Sequence, residues 1–190
     1  VLTMMGVGKR LQNWGMDEKQ ITELDWWQEI DLGDGFKITS LPARHFSGRS
    51  LADRFTTLWG SFALKGPTHT VYFGADSGYY DGFKKIGHRF GPFDLTLLEI
   101  GAYNDLWPDI HMGPEKAVQA QLDLKGKLLL PLHWGTFALA FHPWTEPIER
   151  LQTEAAKKGI ALLVPAPGET RLLCGGAYLN TWWKKYRAAF

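Results

Sequence analysis

Apolar runs too short to be helices, separated by stretches with a helical pattern, constrain this chain more than any single residue does. They fall at 58–64 (LWGSFAL), 70–74 (TVYFG), 94–100 (DLTLLEI), 127–132 (KLLLPL) and 160–164 (IALLV). Most are bounded by Gly, Pro or Asp, as buried strands usually are. Between them, 114–124 (PEKAVQAQLDL) opens with Pro114 and Glu115 and places Ala117, Val118, Gln121 and Leu122 on one face. Pro in the first helical position and an acid in the first turn are helix-start signals. A second helix is expected over 147–158, with Ile148, Leu151 and Ala155 on its apolar side. Strand, helix and strand in alternation predict an α/β fold.

With 45% hydrophobic residues in 190, the chain can bury a core of single-domain size. No repeat, low-complexity run or Gly/Ser linker divides it. A formal net charge of +1, with no block of like charge, gives no basic field for nucleic acid. The single cysteine, Cys174, excludes an internal disulfide and a CxxC zinc knuckle, and reads as a small buried hydrophobe. No stretch approaches the roughly 20 apolar residues that cross a bilayer, and the first residues lack the order of a signal peptide. A soluble, cytoplasmic protein is the expectation.

In α/β folds chemistry collects on loops beyond strand ends, because the rigid sheet can aim several side chains at one point there. PARHFSGR at 42–49, GADSGYY at 74–80 and LPLHWGTF at 130–137 qualify. Each sets a His or Asp by an apolar stretch and follows it with Gly, which lets the backbone turn close to a ligand. Asp76 alone could be a helix N-cap or an Arg partner, His133 a core histidine, and His45 a surface loop residue. As a set, two imidazoles and a carboxylate form a mixed N/O group suited to zinc.

The segments PARHFSGR, YFGADSGYYDGFKKIGHRFGPFDLTLLEIGAY, HMGPEKAVQAQLDL and LLLPLHWGTFALAFHPWTEP occur in this order over residues 6–170. They resemble the zinc-dependent phospholipase D enzymes that release N-acylethanolamines, with their bacterial relatives in the metallo-β-lactamase superfamily. The resemblance implies an αβ/βα sandwich and a centre of two zinc ions. His45 would complete one metal site and His133 the other, with Asp76 bridging. A shared carboxylate offsets the repulsion of two dications, and the water between them is acidified.

His111, in DIHMGPEKA, matches a position that the resemblance places near the substrate, so His111 and Asp76 are the expected catalytic residues; helix capping ahead of Pro114 is the alternative for His111. Relatives often have Asn and Glu where Gly113 and Lys116 stand here. Tyr103 and Trp107 would line the pocket or pack in the core. His69, His88 and His142 carry no metal role and read as structural or surface.

The HxHxDH motif that supplies the family's other four ligands is absent from this sequence. Residues 1–190 are therefore expected to be the C-terminal portion of a single metallo-β-lactamase-fold domain, its C-terminal half plus adjoining strands. Alone, such a piece would hold zinc weakly or not at all, be inactive, and self-associate through an exposed sheet face. The expected activity of the whole is hydrolysis of a small-molecule or lipid-like phosphodiester, with contact to a membrane surface and none to nucleic acid. Lactone or amide hydrolysis at the same centre is the alternative within the fold. A non-catalytic binding module, using the nine Trp and eleven Phe, is the alternative outside it.

Overall fold

A computed structural model describes residues 1–186. The chain begins with strand β1 (Leu2–Met4), the short helix α1 (Gly8–Asn13) and strand β2 (Thr22–Leu24), which pairs in parallel with β1. A second sheet follows: β3 (Glu29–Gly33), β4 (Phe36–Leu41), β5 (Ser61–Lys65), β6 (Thr70–Phe73), β7 (Phe93–Glu99), β8 (Gly126–Leu132), β9 (Ala161–Val164) and β10 (Tyr178–Leu179). Its strands lie in the order β10-β9-β8-β7-β6-β5-β4-β3. Pairing is antiparallel from β3 to β6 and parallel from β6 to β10.

Parallel neighbours need a crossover, and from β6 to β9 each crossover holds a helix. Helix α2 (Gly82–Phe90) joins β6 to β7, α3 (Pro114–Asp123) joins β7 to β8, and α4 (Glu146–Lys158) joins β8 to β9. Helix α3 packs on both of the others and on β7 and β8, so the helices cover one face of the sheet. The expected boundaries move little. The run at 58–64 becomes a strand only from Ser61. Helix α4 stops at Gly159, in the left-handed region with φ 66° that a glycine enters without a Cβ clash.

Alternation along the strands sorts the core. Tyr72, Leu98, Leu129, Leu162 and Val164 join Phe83, Ile86, Val118, Ile148 and Leu151 beneath the helices. The intervening residues Val71, Leu95, Leu97, Leu128, Leu130 and Leu163 point to the opposite face. There Leu2, Ile38, Phe62, Leu64, Val71, Phe73 and Leu97 line an apolar hollow of about 350 Å³. Strands apolar on both sides are the mark of a parallel sheet built to be covered twice. Among the described residues no helix is long and apolar enough to cross a membrane. Cys174 is exposed, which corrects the reading of a buried hydrophobe: it lies in a short 3-10 turn outside the packed layers.

The two faces are distinguishable by truncation. Leu98→Ala, at a fully buried site under the helices, is expected to cost about 2–5 kcal/mol. Its neighbour Leu97→Ala, on the open face, is expected to cost clearly less. Urea denaturation of the two variants beside the parent checks this, and equal losses would mean that the open face is as tightly covered as the other.

Candidate metal centre

Strands β4, β6, β7 and β8 all run the same way, so the segments that follow them meet at one edge of the sheet. His45 follows β4, Asp76 follows β6, His111 lies in the connection after β7, and His133 comes directly after β8. Backbone bonds tie these segments together. Gly78 N–H donates to the Arg44 carbonyl at 2.8 Å, and Arg44 N–H donates to Ser77 Oγ at 3.0 Å. The Arg44 guanidinium pairs with Asp109 at 2.8 Å and donates to the Tyr79 carbonyl at 3.2 Å, pinning three loops with one side chain. A Cβ at position 78 would lie 2.0 Å from the Asp109 carbonyl oxygen, so only glycine lets the 104–111 segment close onto the Asp76 loop. Ala75 and His133 both have positive φ, 50° and 59°. Non-glycine residues hold that conformation at a cost, and such strain gathers at functional sites.

The result is a cluster of three imidazoles and two carboxyls. The rings of His45 and His111 meet edge-on with centroids 5.2 Å apart, and those of His111 and His133 stack at 4.9 Å. His133 Nε2 lies 3.7 Å from Asp76 Oδ1. Thus the structure brings together the expected metal residues His45, Asp76 and His133, and His111 with them. His111 does not cap helix α3, whose N-cap is Gly113 with no side-chain bond. The sequence reading missed the fifth member, Glu99, the last residue of β7. It is fully buried, accepts the Met112 N–H at 2.8 Å, and lies 2.7 Å from His111 Nδ1 and 4.0 Å from His133 Nδ1.

The remaining histidines stand apart. His142 Nε2 accepts from Ala102 N–H at 3.0 Å and its ring stacks on Tyr103, while His69 pairs with the Thr68 hydroxyl. Tyr103 lines a cleft of about 470 Å³ that also receives His111, Lys116 and Arg150. Trp107 instead donates its indole N–H to the Ala102 carbonyl at 2.8 Å.

The donor set suits a cation. His45 Nδ1 lies 2.9 Å from the Phe46 carbonyl, an acceptor, so that nitrogen carries the proton and Nε2 keeps its lone pair. His45 Nε2 is buried and has no hydrogen-bond partner, and the same holds for His133 Nδ1. An orphaned buried polar atom carries a desolvation cost, which a cation at His45 Nε2 would relieve. Burial pushes the pKa of His45 and of His111 below the ordinary imidazole value, with the neighbouring His111 adding to the effect at His45. Neutral imidazoles are the form that binds a metal. Burial also pushes Glu99 up to about 9, helped by the Asp76 charge and opposed by the Met112 N–H and His133.

Comparison with known proteins gives this geometry a family. A family model described as a beta-lactamase superfamily domain matches residues 1–134. An uncharacterised protein of Mycobacterium tuberculosis is 50% identical over 186 residues, which cover 96% of this chain and 50% of that protein. The chain thus spans about half the length of this relative. N-acyl-phosphatidylethanolamine-hydrolyzing phospholipase D 1 of Caenorhabditis elegans is 33% identical over 158 residues, 78% of this chain and 44% of that one. Among solved structures, Igni18, a metallo hydrolase from the archaeon Ignicoccus hospitalis, superposes with a TM-score of 0.70 at 22% identity, covering 90% of this chain and 66% of its own. The chain belongs to the β-lactamase superfamily and has the α/β fold of its metallo-hydrolases.

The Glu99 shift has a consequence for the metal-free protein. Native Glu99 keeps a proton that the unfolded chain releases near its ordinary value of 4.5, so its contribution to stability is lost as pH rises toward about 9. His45 and His111 act oppositely, removing stability as pH falls below the ordinary imidazole value of 6.5. Glu99→Gln is therefore expected to flatten the alkaline decline in stability between about pH 5 and about pH 9. Denaturant midpoints across that range, in excess chelator, check it; a decline as steep as the parent's would refute the assignment.

Proposed function

We propose that this member of the β-lactamase superfamily belongs to a metal-dependent hydrolase that cleaves phosphodiesters of phospholipase D type. The observation that carries the reading is the meeting of His45, Asp76, His111 and His133 at one sheet edge, with a bare lone pair on His45 Nε2. His45 would serve one zinc ion, His133 the other, and Asp76 both. When bound, the two ions supply Lewis acidity at the phosphoryl oxygens and lower the pKa of a water.

The chain's own groups divide the remaining work. In the reaction a water oxygen bonds to phosphorus, the bond from phosphorus to the departing alcohol oxygen breaks, and that oxygen takes up a proton. His111 lines the cleft and engages Glu99 through Nδ1, so Nε2 is its atom for holding or moving that proton. Asp76 keeps its carboxylate half-exposed beside His133 Nε2, where it can orient ligands and water.

The surroundings support an amphiphilic substrate. On the His133 side, Trp134, Phe137 and Leu139 line a recess suited to an apolar arm. On the His111 side, the cleft offers Tyr103, Asn104, Lys116 and Arg150 to a polar group. The Caenorhabditis elegans relative is named for hydrolysing a phospholipid of this kind. Exposed Phe137, Leu139 and Phe141 are the ground for contact with a lipid surface.

The whole protein, reconstituted with zinc, is expected to lose phosphodiesterase turnover on Asp76→Ala far beyond the roughly 10–100-fold typical of a residue that only contacts a metal ligand. His142→Ala, which alters only a loop contact and a ring stack, is expected to change it much less. Rates with bis(p-nitrophenyl) phosphate, before and after chelation and zinc return, decide. Equal losses in the two variants, or turnover indifferent to chelator, would sink the proposal.

A further inference from the structure

Glu99 is an unusual residue to find at the floor of a site rich in imidazoles. Its side chain is completely shielded from solvent, and removing a carboxyl from water costs several kcal/mol unless its oxygens are occupied. Both are occupied. Oε1 accepts the Met112 N–H, and Oε2 meets His111 Nδ1 at 2.7 Å while standing 4.0 Å from Nδ1 of His133. A five-membered ring held at Nδ1, as His111 is, directs Nε2 away from the holder, and His133 Nε2 lies on the Asp76 side.

We infer that Glu99 is the positioning residue of the centre: a single buried carboxyl that fixes the ring of His111, backs the ring of His133, and so presents Nε2 of both to the space beside Asp76. The inference rests on the proposed hydrolytic centre for its purpose, and on the geometry alone for its content. Glu99 could instead ligate an ion, since its carboxyl oxygen, His111 and His133 offer atoms within 4.8 Å of one another. Positioning accounts for more. An ion there would have to displace the His111 contact, and it would leave the Met112 N–H competing for the same carboxyl. Histidines that bind metal commonly give their second nitrogen to a carboxylate, which sets ring orientation and raises ligand affinity. The Glu99 carboxyl does this for His111 at 2.7 Å, and at 4.0 Å it stands behind His133 Nδ1 without a hydrogen bond.

The chain's own conformation enforces the arrangement. Glu99 ends β7 in register with Leu132 of β8, so the carboxyl lies one residue from His133 across the sheet. Ile100 N–H donates to the Leu132 carbonyl at 3.0 Å, and a Cβ on Gly101 would lie 2.1 Å from the His133 carbonyl oxygen. The backbones of the two strand ends are thus locked together at the point where the side chains meet.

The test compares, in the whole protein, Glu99→Gln, which keeps a hydrogen-bonding partner for His111 Nδ1, with Glu99→Leu, which keeps bulk and removes it. Long-range ¹H–¹⁵N spectra of the metal-free protein read the His111 ring, and zinc calorimetry reads the centre. In the parent and the Gln variant His111 is expected to occupy a single tautomer, while the Leu variant averages two. Zinc affinity is expected to fall roughly 10–100-fold in the Leu variant, with unchanged stoichiometry, and to be largely restored by Gln. His111 resonances and zinc affinity unchanged by Leu would overturn the inference. Loss of one zinc equivalent in the Gln variant, with the ring spectra intact, would make Glu99 a ligand and overturn it too. Phosphodiester turnover by the whole protein reports separately: a parent without it would count against the hydrolase reading and leave the ring spectra to decide the role of Glu99.

Discussion

The common direction of β4, β6, β7 and β8 is the constraint on which the rest depends. Every candidate ligand lies in a segment that leaves one of these strands, so the sheet places at one edge residues separated by up to 88 positions in sequence (45 to 133). From β6 to β8 the direction is enforced by the helical crossovers, since each apolar helix face must return to the same side of the sheet to be buried, and β4 shares it through two antiparallel steps. Helices α2, α3 and α4 are therefore more than a covering layer. By burying Phe83, Ile86, Val118, Ile148 and Leu151 against Tyr72, Leu98 and Leu129, they hold the strand ends that carry the site.

That packing supports a local arrangement that is unfavourable by itself. Burial and the neighbouring imidazoles disfavour protonation of His45, Glu99 is desolvated, and Ala75 and His133 sit at positive φ. None of these would persist in an isolated loop, where each residue could relax. They persist because the strand ends cannot move: β7 and β8 pair along their length to Glu99 and Leu132, and Arg44 fastens the loops above them. The cost falls on the site and the stability comes from the layer beneath.

Most of the sheet was legible from pattern because its strands are apolar on both faces and end in Gly, Pro or Asp. What escaped has physical reasons. The β3–β4 hairpin is polar and exposed along much of its length, so it shows no apolar run, although the Gly33-Asp34-Gly35 turn, with all three residues at positive φ, was a local signal. Helix α2 buries Phe83 and Ile86 among lysines and glycines, too few apolar positions to stand out against the surrounding loop. At the site, His45, Asp76 and His133 were readable because a polar residue beside a buried strand end is conspicuous. Glu99 stands in the same kind of place but inside the run DLTLLEI, where it passed as part of the strand. A carboxylate embedded in an apolar run and followed by Gly was the available clue, for burial obliges such a group to find partners.

The position of Glu99 also gives one sheet edge two different carboxyl environments. Its carboxyl is sealed from solvent, whereas Asp76, on the other side of the His133 ring, is about half exposed. Two carboxyls flanking one imidazole in such different surroundings cannot respond alike to a cation. The buried one is fixed by a backbone N–H and a ring nitrogen and has little freedom to exchange partners. The exposed one faces the opening and can exchange water, ion or substrate without breaking the core. In the proposed centre, orientation would fall to the group that cannot move and exchange of ligands to the groups that can, a division that follows from the depth of each side chain at the end of its strand.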